Sequence, residues 1–183
     1  MHIFVAVPLP EKITEELERW THIHREQLTF RRRTHPHDYH ITLQFLGEAT
    51  PSKVEDVQAA LGAIRCTPFA LALHGFGTFG TPQAPRVLWA AVAGELQGLH
   101  ALHTSVVQAN AVLGFAPEER PYAPHITLAR RFEGASPFTL DTMTTALAAE
   151  AWEADRFVLM QTHKHASPMY EVIGEYELTK PQN

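Results

Sequence analysis

The chain has 183 residues, 20 acidic side chains against 15 basic ones, and a net charge of -5. That length fits one domain with a sizeable core, and the acidic balance excludes a protein that coats long nucleic acid through a broad basic face. Cys66 is the single cysteine, which excludes an intrachain disulfide or a thiolate zinc cluster and points to a reduced, intracellular setting.

The opening MHIFVAVPLPEK has no basic leader followed by a long apolar core, and no later stretch approaches membrane-span length, so a soluble, cytoplasmic protein is expected. Ile3, Val5 and Val7 predict a first buried strand ending at Pro8 and Pro10. From Glu11 to about Leu28, the spacing of Ile13, Leu17, Trp20, Ile23 and Leu28 predicts an amphipathic helix. A strand follows at Tyr39 to Leu46, and then Thr50-Pro51 opens a second helix with Val54, Val57, Leu61 and Ile64 as its stripe. Phe69 to His74 and Arg86 to Val92 read as strands joined by a loop, Gly75 to Pro85. Leu96, Leu99, Leu102, Val106 and Leu113 mark a third helix closed by Gly114, and another strand follows Pro124. Ser136-Pro137 is expected to open a short helix through about Ala149, and Arg156 to Gln161 and Tyr170 to Leu178 to form the closing strands.

Within this series one tetrapeptide recurs: His40-Ile41-Thr42-Leu43 and His125-Ile126-Thr127-Leu128, each inside a predicted strand. A second copy of all four letters at this composition is expected by chance well below about one time in a hundred. Alternation along a strand displays His and Thr on one face and turns Ile and Leu to the other. It also places Gln44 on the displayed face and Phe45 on the apolar one. The copies lie 85 positions apart, too far for a solenoid repeat, and suit two pseudo-symmetric lobes facing each other across a cleft.

Two imidazoles and two hydroxyls on opposite walls suit phosphodiester displacement. One histidine removes a proton from the attacking oxygen and the other gives one to the leaving oxygen, since a pKa near 6.5 allows either state. The threonine hydroxyls can donate to the non-bridging phosphoryl oxygens. This scheme requires no metal or other cofactor. Arg31, Arg32 and Arg33 upstream of the first motif, and Arg130 and Arg131 after the second, place positive charge where an anionic ligand would be drawn in.

With these residues the chain resembles the RNA 2′,3′-cyclic phosphodiesterases of the LigT/ThpR type, within the two-histidine (2H) phosphoesterase superfamily, whose signature is a pair of His-x-Thr-x motifs. The segments IFVAVPLP, HITLQFLGE, FGTFGTPQAPRVLWAAV, GFAPEERPYAPHITLARR and YEVIGEYEL carry the resemblance over nearly the whole chain. It implies an α+β fold, with residues 1–183 forming one domain of two lobes, each an antiparallel sheet with outer helices, around a central groove. It also implies that His40 gives a proton to the leaving oxygen, that His125 activates water, and that Thr42 and Thr127 hold the phosphate. Arg130 matches the arginine that often follows the second motif; phosphate contact and a structural salt bridge are both open for it. The implied reaction opens a terminal 2′,3′-cyclic phosphate to a 2′-phosphate, and its reverse joins ends through a 2′,5′ linkage. The implied partner is an RNA end or a cyclic nucleotide, bound by a monomer with no membrane contact.

Other readings compete with this one. His35, His37 and His40 with Asp38, or His163 with His165, are spaced so that they could converge on a metal, although neither set matches a recognised ligand pattern. Phe76, Phe79 and Tyr122 are candidates to stack on a base. A nucleotide-binding module without turnover, or an esterase for another small phosphodiester, would use the same displayed residues.

Overall fold

The computed structural model describes residues 1–141, 143 and 146–181. In chain order the elements are β1 (His2–Pro8), α1 (Glu11–Ile23), β2 (Phe30–Arg33), a 3-10 turn (Pro36–Asp38), β3 (His40–Glu48), α2 (Pro51–Gly62), β4 (Phe69–Thr81), β5 (Ala84–Gly94), α3 (Leu96–Ala111), β6 (Ile126–Phe132), β7 (Ala151–Ala154), β8 (Arg156–Thr162) and β9 (Tyr170–Glu177). The helices form for the expected reasons. Ile13, Leu17 and Trp20 bury one face of α1. Thr50 caps α2 by accepting from the Lys53 N–H, with Pro51 in the first turn. Leu99, Leu102 and Val106 anchor α3, and Gly114 takes a φ of 92° just beyond it.

The sheet runs β7-β4-β5-β6-β3-β1-β8-β9, with β2 added alongside β6. Neighbouring pairs are antiparallel. At its centre β6 and β3 meet at one register position, Ile126 opposite Ile41, so the sheet divides there into a lobe of five strands (β2, β4, β5, β6 and β7) and one of four (β1, β3, β8 and β9), hinged on the motif strands. The expected two-lobed α+β fold is therefore present, with strands exchanged. Sequentially early β4 completes the lobe of β5 and β6, while β8 and β9 return from the C-terminal end to complete that of β1 and β3.

The lobes have two faces. On one, Ile3, Val5, Val7, Ile41, Leu43, Leu88, Ala90, Ile126 and Leu128 join the buried faces of the helices in the main core. On the other, a small cluster of Phe4, Ala6, Val158 and Met160, with Tyr170 against it, floors the groove. The alternation of β1 supplies both, odd positions to the core and even positions to the groove.

Four sequence expectations change. The helix α1 stops at Ile23 because the chain turns at His24, with φ -98° and ψ 17°, and Leu28 enters the core from the following turn. The expected loop Gly75 to Pro85 is mostly strand: β4 and β5 continue as a hairpin that pairs Gly77 with Trp89 and Thr81 with Ala84. Short β2 and β7 add to the elements expected. No helix forms among the described residues of 136–149, where Phe138 N–H bonds to the Gln83 carbonyl and Ala148 N–H to the Glu16 carboxylate. These bonds commit the segment's backbone groups to its neighbours. Thr142, Thr144 and Thr145 of that expected helix lie outside the described residues.

Candidate active site

The two motifs are built alike down to a shared irregularity. Along β1 and β3, Ala6 faces Thr42 and Val5 faces Gln44, leaving Leu43 as an extra residue. Along β5 and β6, Trp89 faces Thr127 and Leu88 faces Ala129, leaving Leu128 extra. A β-bulge therefore falls on the Leu of each motif, where it re-aims every side chain beyond it. Leu43 and Gln44 both turn to the core, as do Leu128 and Ala129, and all four are buried.

That bulge corrects the strict alternation expected for the first motif. Gln44 is not displayed; it is 5% exposed and accepts from Asn110 Nδ2 at 2.9 Å. Phe45 rejoins His40 and Thr42 on the groove face, where its ring lies 5.6 Å from that of Phe4 and is 59% exposed. In the second motif the same shift brings Arg130 round to the face of His125 and Thr127. Phe45 and Arg130 thus occupy corresponding positions, each five residues past its histidine.

Each histidine is held by the carbonyl two residues before it. His40 Nδ1 donates to the Asp38 carbonyl at 2.7 Å, and His125 Nδ1 to the Ala123 carbonyl at 2.8 Å. With Nδ1 carrying the proton, the neutral rings leave Nε2 as the nitrogen free for proton exchange. His40 Nε2 lies 2.9 Å from Thr42 Oγ1. Aromatic rings fix both imidazoles. Phe4 and Tyr170 lie 4.9 and 5.2 Å from the His40 ring, while Phe79 meets the His125 ring edge-on at 5.0 Å with Trp89 behind it at 6.1 Å.

Asp38 is the residue the sequence did not single out beyond a role in a metal cluster. It is 4% exposed, and its carboxylate accepts from the Met169 and Tyr170 N–H groups at 2.9 and 3.1 Å. One residue therefore orients His40 through its carbonyl and seats Tyr170 against the same ring through its side chain. The loop leading into Tyr170 contains a cis peptide at Ser167-Pro168.

Burial dominates the electrostatics. It pushes the His40 pKa down to about 4, with the charges of His125 and Arg130 adding to the depression and the Asp38 carbonyl and carboxylate opposing it. His125 is also lowered, first by burial and then by Arg130, with the Ala123 carbonyl opposing. The charge of Arg130 contributes to lowering both imidazoles and opposes the upward shift of Tyr170. Both shifts favour the neutral rings in the free protein, and an anion between them would raise their affinity for a proton.

The other sequence candidates separate. Phe76 stacks on Trp20 at 3.7 Å within the core, away from the motifs. Tyr122 is engaged by its hydroxyl, which donates to the Thr42 carbonyl at 2.7 Å, and His103 stacks on its ring at 3.9 Å. The His35 ring accepts from the His37 N–H, capping the 3-10 turn, and His163 pairs with Glu171 at 2.7 Å. No group of three metal-ligating side chains gathers among the described residues. No helix among them is long and apolar enough to cross a membrane.

Comparison with known proteins places this arrangement among relatives. Residues 7–89 and 92–170 match the family model described as LigT like Phosphoesterase. A Geobacillus stearothermophilus protein named RNA 2′,3′-cyclic phosphodiesterase is 38% identical over 97% of this chain, which spans 57% of that longer relative. A Bacillus subtilis protein of the same name is 34% identical over 97% of both chains. Among solved structures, a Thermus thermophilus protein, TT0787, is similar with a TM-score of 0.81 and 29% identity over 97% of this chain and 98% of that one. Escherichia coli LigT complexed with 3′-AMP gives a TM-score of 0.80 at 26% identity over 98% of each.

Proposed function

Because the chain belongs to the LigT-like phosphoesterase family, we propose that it is an RNA 2′,3′-cyclic phosphodiesterase that opens the terminal cyclic phosphate to a 2′-phosphate. The observation that carries this reading is the pair of Nδ1-anchored histidines, His40 opening β3 and His125 immediately before the adjoining β6, each with a threonine two residues on.

The reaction follows from those groups. A water attacks phosphorus opposite the 3′ oxygen and loses its proton to Nε2 of one histidine. The P–O3′ bond breaks, and the 3′ oxygen takes a proton from Nε2 of the other. The hydroxyls of Thr42 and Thr127 donate to the two non-bridging oxygens, whose charge they stabilise, and Arg130 adds a positive field on the same side. The family resemblance gives His40 the donor role and His125 that of base. The Asp38 carboxylate opposes the loss of charge that burial imposes on His40, so this residue would help the ring to hold a proton once an anion is bound. The exposed Phe45 ring offers a stacking face for the nucleobase, a more accessible platform than the three aromatic rings the sequence suggested.

With the 5′ hydroxyl of a second RNA end in place of water, the same groups would join it to the cyclic phosphate through a 2′,5′ linkage: one histidine takes the hydroxyl proton, the P–O3′ bond breaks, and the 3′ oxygen takes a proton from the other. One chain supplies both motifs, so a monomer suffices, and the single cysteine fits a reducing, cytoplasmic setting. The test is metal-free hydrolysis of adenosine 2′,3′-cyclic phosphate and of a short RNA carrying that end. The wild-type protein yields a 2′-phosphate, and His40→Ala and His125→Ala each lose about a hundredfold or more. Normal turnover by either variant overturns the assignment.

A further inference from the structure

The strand β2 brings a second arginine beside Arg130. Its register pairs Phe30 with Phe132, Arg32 with Arg130 and Arg33 with Ala129. Side chains directly opposite each other on antiparallel strands share a face, so Arg32 projects to the groove side with Arg130. Its neighbours are committed elsewhere. Arg33 donates to the carbonyls of Arg25 and Leu28 at 2.8 and 2.9 Å, closing the turn after α1, and Arg31 lies 3.9 Å from Glu133. Among the described residues neither Arg32 nor Arg130 has an ion-pair or hydrogen-bond partner, and both are exposed.

Two like charges directly opposite each other destabilise a strand pair. An anion between them reverses the sign of that interaction. Arg130 shares a face with His125 and Thr127 and so, in the reaction above, borders the reacting phosphate. Arg32 stands one strand spacing further out, about 4.8 Å at the backbone. An RNA end presents two anions in that order, the cyclic phosphate and then the 5′ phosphodiester of the same nucleotide. A free cyclic nucleotide presents only the first.

We propose that Arg32, beside Arg130, forms a subsite for the phosphodiester on the 5′ side of the terminal nucleotide, so that the site selects the end of an RNA strand over a free 2′,3′-cyclic nucleotide. This rests on the phosphodiesterase reading above and adds a length requirement to it. The β2 strand is then a reader of the chain attached to the reacting group.

The experiment compares kcat/KM for adenosine 2′,3′-cyclic phosphate with that for the dinucleotide ApA ending in the same cyclic phosphate. The wild type, Arg32→Gln, Arg32→Lys and Arg19→Gln are measured side by side. Arg19, exposed on α1 and paired with Glu16, controls for net charge. The expected result is that the wild type favours the dinucleotide and that Arg32→Gln lowers the dinucleotide-to-mononucleotide ratio about tenfold. Arg32→Lys recovers part of the ratio, and Arg19→Gln leaves it as in the wild type. The salt dependence for the dinucleotide also becomes shallower in Arg32→Gln, by about 0.7 in the log-log slope. An unchanged ratio in Arg32→Gln, or an equal loss on both substrates, overturns the subsite while leaving the phosphodiesterase reading standing. Failure of the wild type to open either substrate overturns both.

Discussion

The Tyr122 hydroxyl donates to the backbone carbonyl of Thr42 at 2.7 Å, joining residues 80 positions apart. The bond ties the chain entering the second motif to the strand of the first. Because β3 and β6 share one register position, it is a second fastening across the seam that sets the separation of His40 and His125.

Tyr122→Phe is therefore expected to keep the ring and its stacking on His103 while freeing the seam. Losing this part-buried hydrogen bond costs about 1 kcal/mol, so the melting temperature falls. The kinetic signature is a lower kcat with a smaller change in KM, because two proton transfers must be aligned at once. Unaltered kcat in a folded variant would show that the strand pair holds its spacing without this bond.

The pH dependence differs between free and occupied protein. Burial lowers both imidazoles, His40 to about 4. A histidine that must carry a proton loses it as pH rises through its pKa, so the alkaline limb of kcat/KM falls below the ordinary value near 6.5. A bound phosphate anion raises that pKa, moving the alkaline limb of kcat to higher pH. Coincident limbs in a full pH series of kcat and kcat/KM would contradict this, and the two apparent pKa values of each profile belong to the pair.

Asp38 carries a charge and an anchor that two substitutions separate. Asp38→Asn retains an oxygen for one N–H of the Met169–Tyr170 turn and removes the negative charge. Its expected effect is to move the alkaline limb of kcat to lower pH, since the protonated His40 loses support. Asp38→Ala leaves both N–H groups without their acceptor and is expected to destabilise the fold by about 2 kcal/mol or more. Thermal melts and pH-rate profiles of both variants distinguish the effects.

Arg131 adopts a φ of 60°, a left-handed conformation that a non-glycine residue holds at a cost of about 1 kcal/mol or more. Arg131→Gly should relieve that strain and raise or preserve the denaturation midpoint despite added freedom in the unfolded chain. A clear loss of stability would mean that the Arg131 side chain contributes more than its backbone costs.

The repeated His-Ile-Thr-Leu is legible in the sequence because it is local and its period matches a strand. The bulges at Leu43 and Leu128 are not, because a bulge is a property of two strands: it appears only when Val5 and Ala6, or Leu88 and Trp89, are laid opposite. Strict alternation therefore puts Phe45 on the wrong face. Glycine misleads the hairpin assignment for a different reason. Gly77 does not end a strand; it makes room for the Trp89 ring, which a Cβ there would overlap. The FRRR of β2 carries little apolar pattern, and its strand conformation comes from pairing with β6. Asp38 is visible as a residue, but its two acceptor roles depend on a loop more than 130 positions away.

The exchange of strands between lobes bears on how the molecule is made. During synthesis β1 emerges well before its neighbour β8, which pairs Thr162 with His2, so one flank of that strand stays unpaired until residues 160 positions later have left the ribosome. The histidine of the first motif is translated long before the strands that complete its lobe, and the groove is finished only when the C-terminal hairpin docks. Neither motif can be expressed alone as a working half: a cut between them separates β1 from β8 and leaves each fragment with an open sheet edge, a template for aggregation.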